Sequence, residues 1–90
     1  MSKANVDPVE LRRFASDLKR FVGELEGLMG QLHSRMQNLE ATWRDQEQRK
    51  FAEAFAQTAK NLGSFVDAAN EHTAFLNKKA AAVEQYLRQR

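Results

Sequence analysis

Along the first half of the chain, apolar residues recur at Leu11, Phe14, Leu18, Phe21, Leu25, Leu28 and Leu32, in steps alternating between three and four. That is the period of a helix whose apolar stripe packs along a neighbouring helix. Met36, Leu39 and Trp43 continue the stripe after one step of four where three was due, a stutter that locally unwinds a supercoil. The start is equally marked. Asp7-Pro8-Val9-Glu10 supplies an N-cap acceptor, a proline where a missing N–H does no harm, and a glutamate placed to complete a capping box. The spacing predicts one helix over about residues 7–42, near 50 Å long at ~1.5 Å per residue.

Trp43-Arg44-Asp45-Gln46 interrupts the pattern. Asp45 followed by Gln48 repeats the capping-box signature, which places a turn at about residues 43–45 and a second helix at about 46–88. So short a connection makes the two helices antiparallel neighbours. The second stripe runs through Ala52, Phe55, Ala59, Leu62, Val66, Ala69, Thr73, Leu76, Ala80, Val83 and Leu87, and its many small members allow close approach. Lys78, Lys79, Arg88 and Arg90 bring positive charge toward the helix C-terminus, where the macrodipole favours it. Nothing alternates with a strand period. The expectation is an all-α, antiparallel two-helix hairpin forming a single domain over residues 1–90.

Two helices packed on one seam need only two apolar columns each. Here Ala15, Val22, Met29 and Met36 form a further column in the first helix; Phe51, Phe65 and Tyr86 form one in the second, with Phe75 also off the seam. A face this wide suits a helix that touches two neighbours. The pattern therefore predicts that hairpins dimerise into a four-helix bundle, as a homodimer or a heterodimer. Val22, Met29, Met36, Phe65 and Tyr86 are its candidate interface residues. The periodicity leaves open whether the two extra columns share one side of the hairpin.

Composition narrows the functional classes. The chain is 42% hydrophobic and 29% charged, with one proline and four glycines, which suits long ordered helices rather than disorder. Its formal charge is only +2, and acids alternate with bases, so the surface reads as solvated helix rather than a nucleic-acid footprint. With no cysteine, neither a disulfide framework nor a thiol nucleophile is possible. No stretch reaches the ~18 apolar residues of a membrane helix, so no stable membrane insertion is expected. Met1-Ser2-Lys3-Ala4-Asn5 leads into the first helix with no apolar secretory region, so any export would bypass a cleaved signal peptide.

Candidate chemistry is sparse. His33 falls on the polar side, and His72 shares the column of Phe65 and Tyr86 as a half-buried rim residue. Neither joins a cluster of metal ligands or paired carboxylates. No catalytic, cofactor-binding or metal-binding residue is expected. Gly23, Gly27 and Gly30 lie inside the first helix, on its outer side, and each costs about 1 kcal/mol of helix propensity. Trp43, the only tryptophan, stands at the turn beside the apolar stripe. There it can plug the bundle end and serve as a recognition anchor.

Asp7-Pro8, Leu32 and Leu39 before the turn, Trp43, and Phe51 eight residues after it together resemble the small Trp-Xaa-Gly helical hairpins exported by type VII (ESX-type) secretion systems. Two positions depart from that pattern. Asp45 stands where the family has glycine, and Arg90 stands four residues after Tyr86, where exported members often carry an acid. The resemblance implies a dimer of antiparallel hairpins, handled as a substrate or partner of a membrane-bound secretion ATPase and secreted without a signal peptide. It implies that Trp43, Asp45 and Phe51 form a protein-binding turn motif. The alternative is a cytoplasmic coiled-coil adaptor or regulator that binds a partner helix.

Overall fold

A computed structural model describes residues 5–89. Two helices account for nearly all of them, α1 (Pro8–Glu40) and α2 (Gln46–Arg88). Asp7, in extended backbone, accepts a hydrogen bond from the Val9 N–H at 2.9 Å, with Pro8 opening the helix behind it. Glu10 does not reach back to close the expected capping box; it pairs with Arg13 at 2.8 Å instead. The helix ends at Glu40 rather than near Thr42. There the Ala41 N–H is shared between the Asn38 and Leu39 carbonyls, and the Trp43 N–H donates to the Leu39 carbonyl at 3.0 Å.

Asp45 caps α2, its Oδ1 accepting from the Gln48 N–H at 2.9 Å. The Gln48 side chain turns away from this cap and donates to Glu40 Oε2 at 3.3 Å. One half of the second expected capping box is thus replaced by a tie between the two helices across the turn. Gln48 is buried there.

The hairpin is long and thin, 69 × 17 × 14 Å, with a radius of gyration of 20.3 Å. A globular chain of this length would have roughly 12 Å. Among the described residues, the buried apolar ones are Ala15, Val22, Val66, Ala69, Ala80 and Val83, and no large side chain is fully buried. Leu18, Leu25 and Met29 pack against the centre formed by Val22, Val66 and Ala69. The α2 seam lies where its spacing placed it, except that Ala59 and Leu87 remain exposed.

The α1 seam is shifted. Leu11, Leu18 and Leu25 belong to two adjacent stripes, one completed by Phe14, Phe21 and Leu28, the other by Ala15, Val22, Met29 and Met36. The second faces α2. Phe14, Phe21 and Leu28, expected on the seam, are 59%, 51% and 56% exposed. Size decides between the stripes. Ala15 and Val22 let α1 approach the alanines and valines of α2 closely, whereas a row of phenylalanines would hold the axes apart and forfeit dispersion contacts.

At the open end, Arg12 donates from Nη2 and Nε to the two carboxylate oxygens of Glu84 at 2.8 and 3.0 Å. These hydrogen bonds hold the Glu84 carboxyl below its ordinary value; partial desolvation opposes them and the charges of Arg12 and Arg88 assist. Because the folded value is depressed, the stabilisation is complete above the ordinary value of 4.5 and is lost as pH falls through the lower folded value. The group is exposed, so the effect is screened and small.

Three outcomes follow from this packing. Ala69→Leu, overfilling the close seam, should destabilise the protein by about 1–3 kcal/mol in urea unfolding; an unchanged midpoint would mean the helices are not closely packed there. A Cβ at Gly27 would meet nothing within 4 Å, so Gly27→Ala should stabilise by about 1 kcal/mol. Glu84→Gln should lower the melting temperature at neutral pH, with the gap to wild type closing as pH drops below the ordinary glutamate range.

Candidate functional site: an apolar face and an aromatic turn

The Phe21 and Phe65 rings meet edge to face, with centroids 6.2 Å apart and planes at 87°. That contact places the outer columns of both helices on one side of the hairpin. On α1 the column is Phe14, Phe21, Leu28 and Arg35; on α2 it is Phe51, Thr58, Phe65, His72, Lys79 and Tyr86. Phe75 lies beside the α2 column and is 67% exposed. The opposite side carries Arg12, Lys19, Glu26 and Glu40 on α1, and Arg49, Asn70, Asn77 and Glu84 on α2. The Arg12–Glu84 and Gln48–Glu40 contacts bridge the helices there. One side exposes most of the large apolar side chains, with Thr58, His72, Lys79 and Arg35 set among them, and the other is mostly polar.

Of the interface residues expected from sequence, Phe65 and Tyr86 lie exposed on the apolar face. Val22, Met29 and Met36 do not. Val22 is buried between the helices, Met29 packs against it, and Met36 is half-buried. Their places on the open face are taken by Phe14, Phe21 and Leu28. His72 is exposed on the apolar face rather than half-buried, and His33 is exposed. Arg90 lies outside the described residues.

At the turn, Trp43 is half-buried. Its ring lies 5.7 Å from that of Phe51, tilted by 35°, and Phe51 stacks on Phe55 at 6.0 Å and 25°. Phe51 and Phe55 also line a shallow groove with Leu32, Arg35, Met36 and Leu39, so the aromatic turn runs on into the apolar face. Trp43 and Phe51 are therefore in contact, while Asp45 contributes through the backbone as the α2 cap. Asp45 has φ −100° and ψ −175°, a conformation any residue adopts, so the turn does not need glycine at this position.

Among the described residues, no group of His, Asp or Glu could hold a metal ion. No helix there is long and apolar enough to cross a membrane. Among the described residues, the arrangement exposes large apolar side chains along one side of the hairpin.

The sequence model of a family described as proteins of 100 residues with WXG matches residues 3–86. The chain belongs to the WXG100 family. It is accordingly a helical protein related to type VII secretion. In fold it matches EsxB, a secreted protein from Bacillus anthracis strain Sterne, with a TM-score of 0.81 and 24% identity over 92% of this chain and 89% of that one. A selenomethionine-labelled form of EsxB matches with a TM-score of 0.80 and 23% identity, over 96% and 98% of the two chains. No curated protein sequence matches. Trp43 and Asp45 occupy the first and third positions of the WXG100 motif, and the capping geometry accounts for aspartate standing in for glycine.

Asp45→Ala should destabilise this WXG100 chain by about 1 kcal/mol through loss of the cap, and Asp45→Gly by less. If alanine there raised stability in urea unfolding, the cap would contribute nothing.

Proposed function

We propose that the chain is a non-enzymatic interaction module of type VII secretion, exported or handled as a dimer of hairpins. The observation that carries this reading is the row of exposed large apolar side chains along one side of the hairpin. Phe14, Phe21, Leu28, Phe65, Phe75 and Tyr86 each expose between 45% and 67% of their surface. Large contiguous apolar surface of this kind marks a protein interface. A hairpin whose core is built from alanine and valine gains most by covering it. Membership of the WXG100 family supports the secretion context. The half-buried Trp43 ring, at the end of that face, suits an anchor read by the secretion ATPase.

The alternative is a cytoplasmic adaptor that binds a partner helix. One sequence feature favours it: Arg90 stands where exported members place an acid after the tyrosine.

Export in a host with a matching type VII system tests the proposal. Trp43→Ala should retain the helical circular dichroism signal, lose at most the ~3–5 kcal/mol of a fully buried aromatic, and fail to be exported. Arg90→Glu should raise export. Full export of Trp43→Ala together with no response to Arg90→Glu would instead support the adaptor.

A further inference from the structure

The turn end of the hairpin is held together differently from the open end. The buried apolar residues Ala15, Val22, Val66, Ala69, Ala80 and Val83 lie at the middle of the hairpin or toward its open end. Among the described residues from 30 to 65, Gln48 alone is buried. Phe55 stands on the seam in this half, where the other half has alanine and valine. It lines a groove with Leu32, Leu39 and Phe51, and a cleft with His33, Gln37 and Ala56. Apolar packing therefore does little to fix the last turn of α1 against the first turn of α2.

Gln48 occupies the seam itself. It stands seven residues before Phe55, in the column that continues through Leu62, Ala69, Leu76 and Val83, so an amide ends a row that is otherwise apolar. A buried amide is costly unless it is hydrogen-bonded. Its Nε2 donates to Glu40 Oε2 at 3.3 Å, and no buried side-chain polar atom among the described residues lacks a partner. Methionine would fill the same space without that requirement. What the amide adds is register, because it is satisfied when the end of α1 lies opposite it. Asp45 acts elsewhere: it caps the Gln48 N–H within α2 and joins nothing across the turn.

The same two helix ends carry Trp43. Its N–H donates to the Leu39 carbonyl at 3.0 Å, which fixes it to the end of α1. Its ring rests on Phe51 of α2, about one turn beyond Gln48. Trp43 keeps its place on Phe51 only while these ends keep their register. Resting on the reading of Trp43 as a recognition anchor, we infer that Gln48 is a positioning residue for it. The Gln48–Glu40 hydrogen bond holds the last turn of α1 against the first turn of α2, and so sets the orientation in which Trp43 is presented to a protein partner.

Trp43 is the only tryptophan, so its fluorescence, together with hydrogen exchange at its backbone N–H, reports on the turn. Gln48→Met keeps the length of the side chain and removes the donor. In the full chain it should leave the melting temperature unchanged or higher, while protection of the Trp43 N–H falls roughly tenfold and acrylamide quenching of the ring rises. Gln48→Glu sets two carboxylates face to face and should loosen Trp43 at least as much. Adding Glu40→Gln returns a donor to the pair and should restore the wild-type signals. Unmoved Trp43 signals in Gln48→Met would overturn the inference, even with a lower melting temperature, because that is the mark of a merely stabilising contact. No recovery in the double variant would overturn it too. If Gln48→Glu fails to fold, helicity regained in the double variant reports the same pairing, and its absence the same failure. Export separates this inference from the functional reading. A loosened Trp43 with export reduced by a similar factor supports both. A loosened Trp43 with normal export leaves the positioning role standing and removes Trp43 as the anchor read during secretion.

Discussion

The two helices can approach each other closely only because the residues between them are small, and the rest of the structure follows from that constraint. Ala15 and Val22 meet a seam whose buried members are Val66, Ala69, Ala80 and Val83. Close packing there recovers dispersion that larger side chains would lose by separating the axes. It also leaves the phenylalanines of α1 no place inside. They turn outward, next to Phe65 and its column on α2, and a hairpin with little core of its own exposes a row of large apolar side chains.

The polar contacts are distributed to match. Arg12–Glu84 at the open end and Gln48–Glu40 at the turn both lie on the polar side and hold the two helices in register. The opposite face carries the contact of Phe21 with Phe65. At the turn, the Trp43–Phe51–Phe55 stack carries the apolar surface up to the motif for which the family is named. Packing that is economical within the chain thus creates its exposed apolar surface.

Much of this was legible in the sequence. The α2 stripe, the Asp7 and Asp45 caps and the position of the turn could all be read from spacing and local chemistry. The α1 register could not, because Leu11, Leu18 and Leu25 complete two neighbouring stripes with equally good three–four alternation. Hydrophobicity alone favours Phe14 and Phe21 over Ala15 and Val22, whereas the volume available opposite them favours the reverse. That volume is a property of the other helix. Matching alanine to alanine across the hairpin is the signal that could have found it. The capping glutamate and glutamine were misread for a related reason: Glu10 and Gln48 had rival partners in Arg13 and Glu40 that local spacing does not rank.

The central claim, as proposed above, is that the outward aromatic face is covered in a dimer of hairpins. Sedimentation equilibrium of the wild-type protein at micromolar concentration tests it most directly. The account requires a single species of twice the 10.3 kDa chain mass. A stable, fully helical species at 10.3 kDa across that range would contradict it.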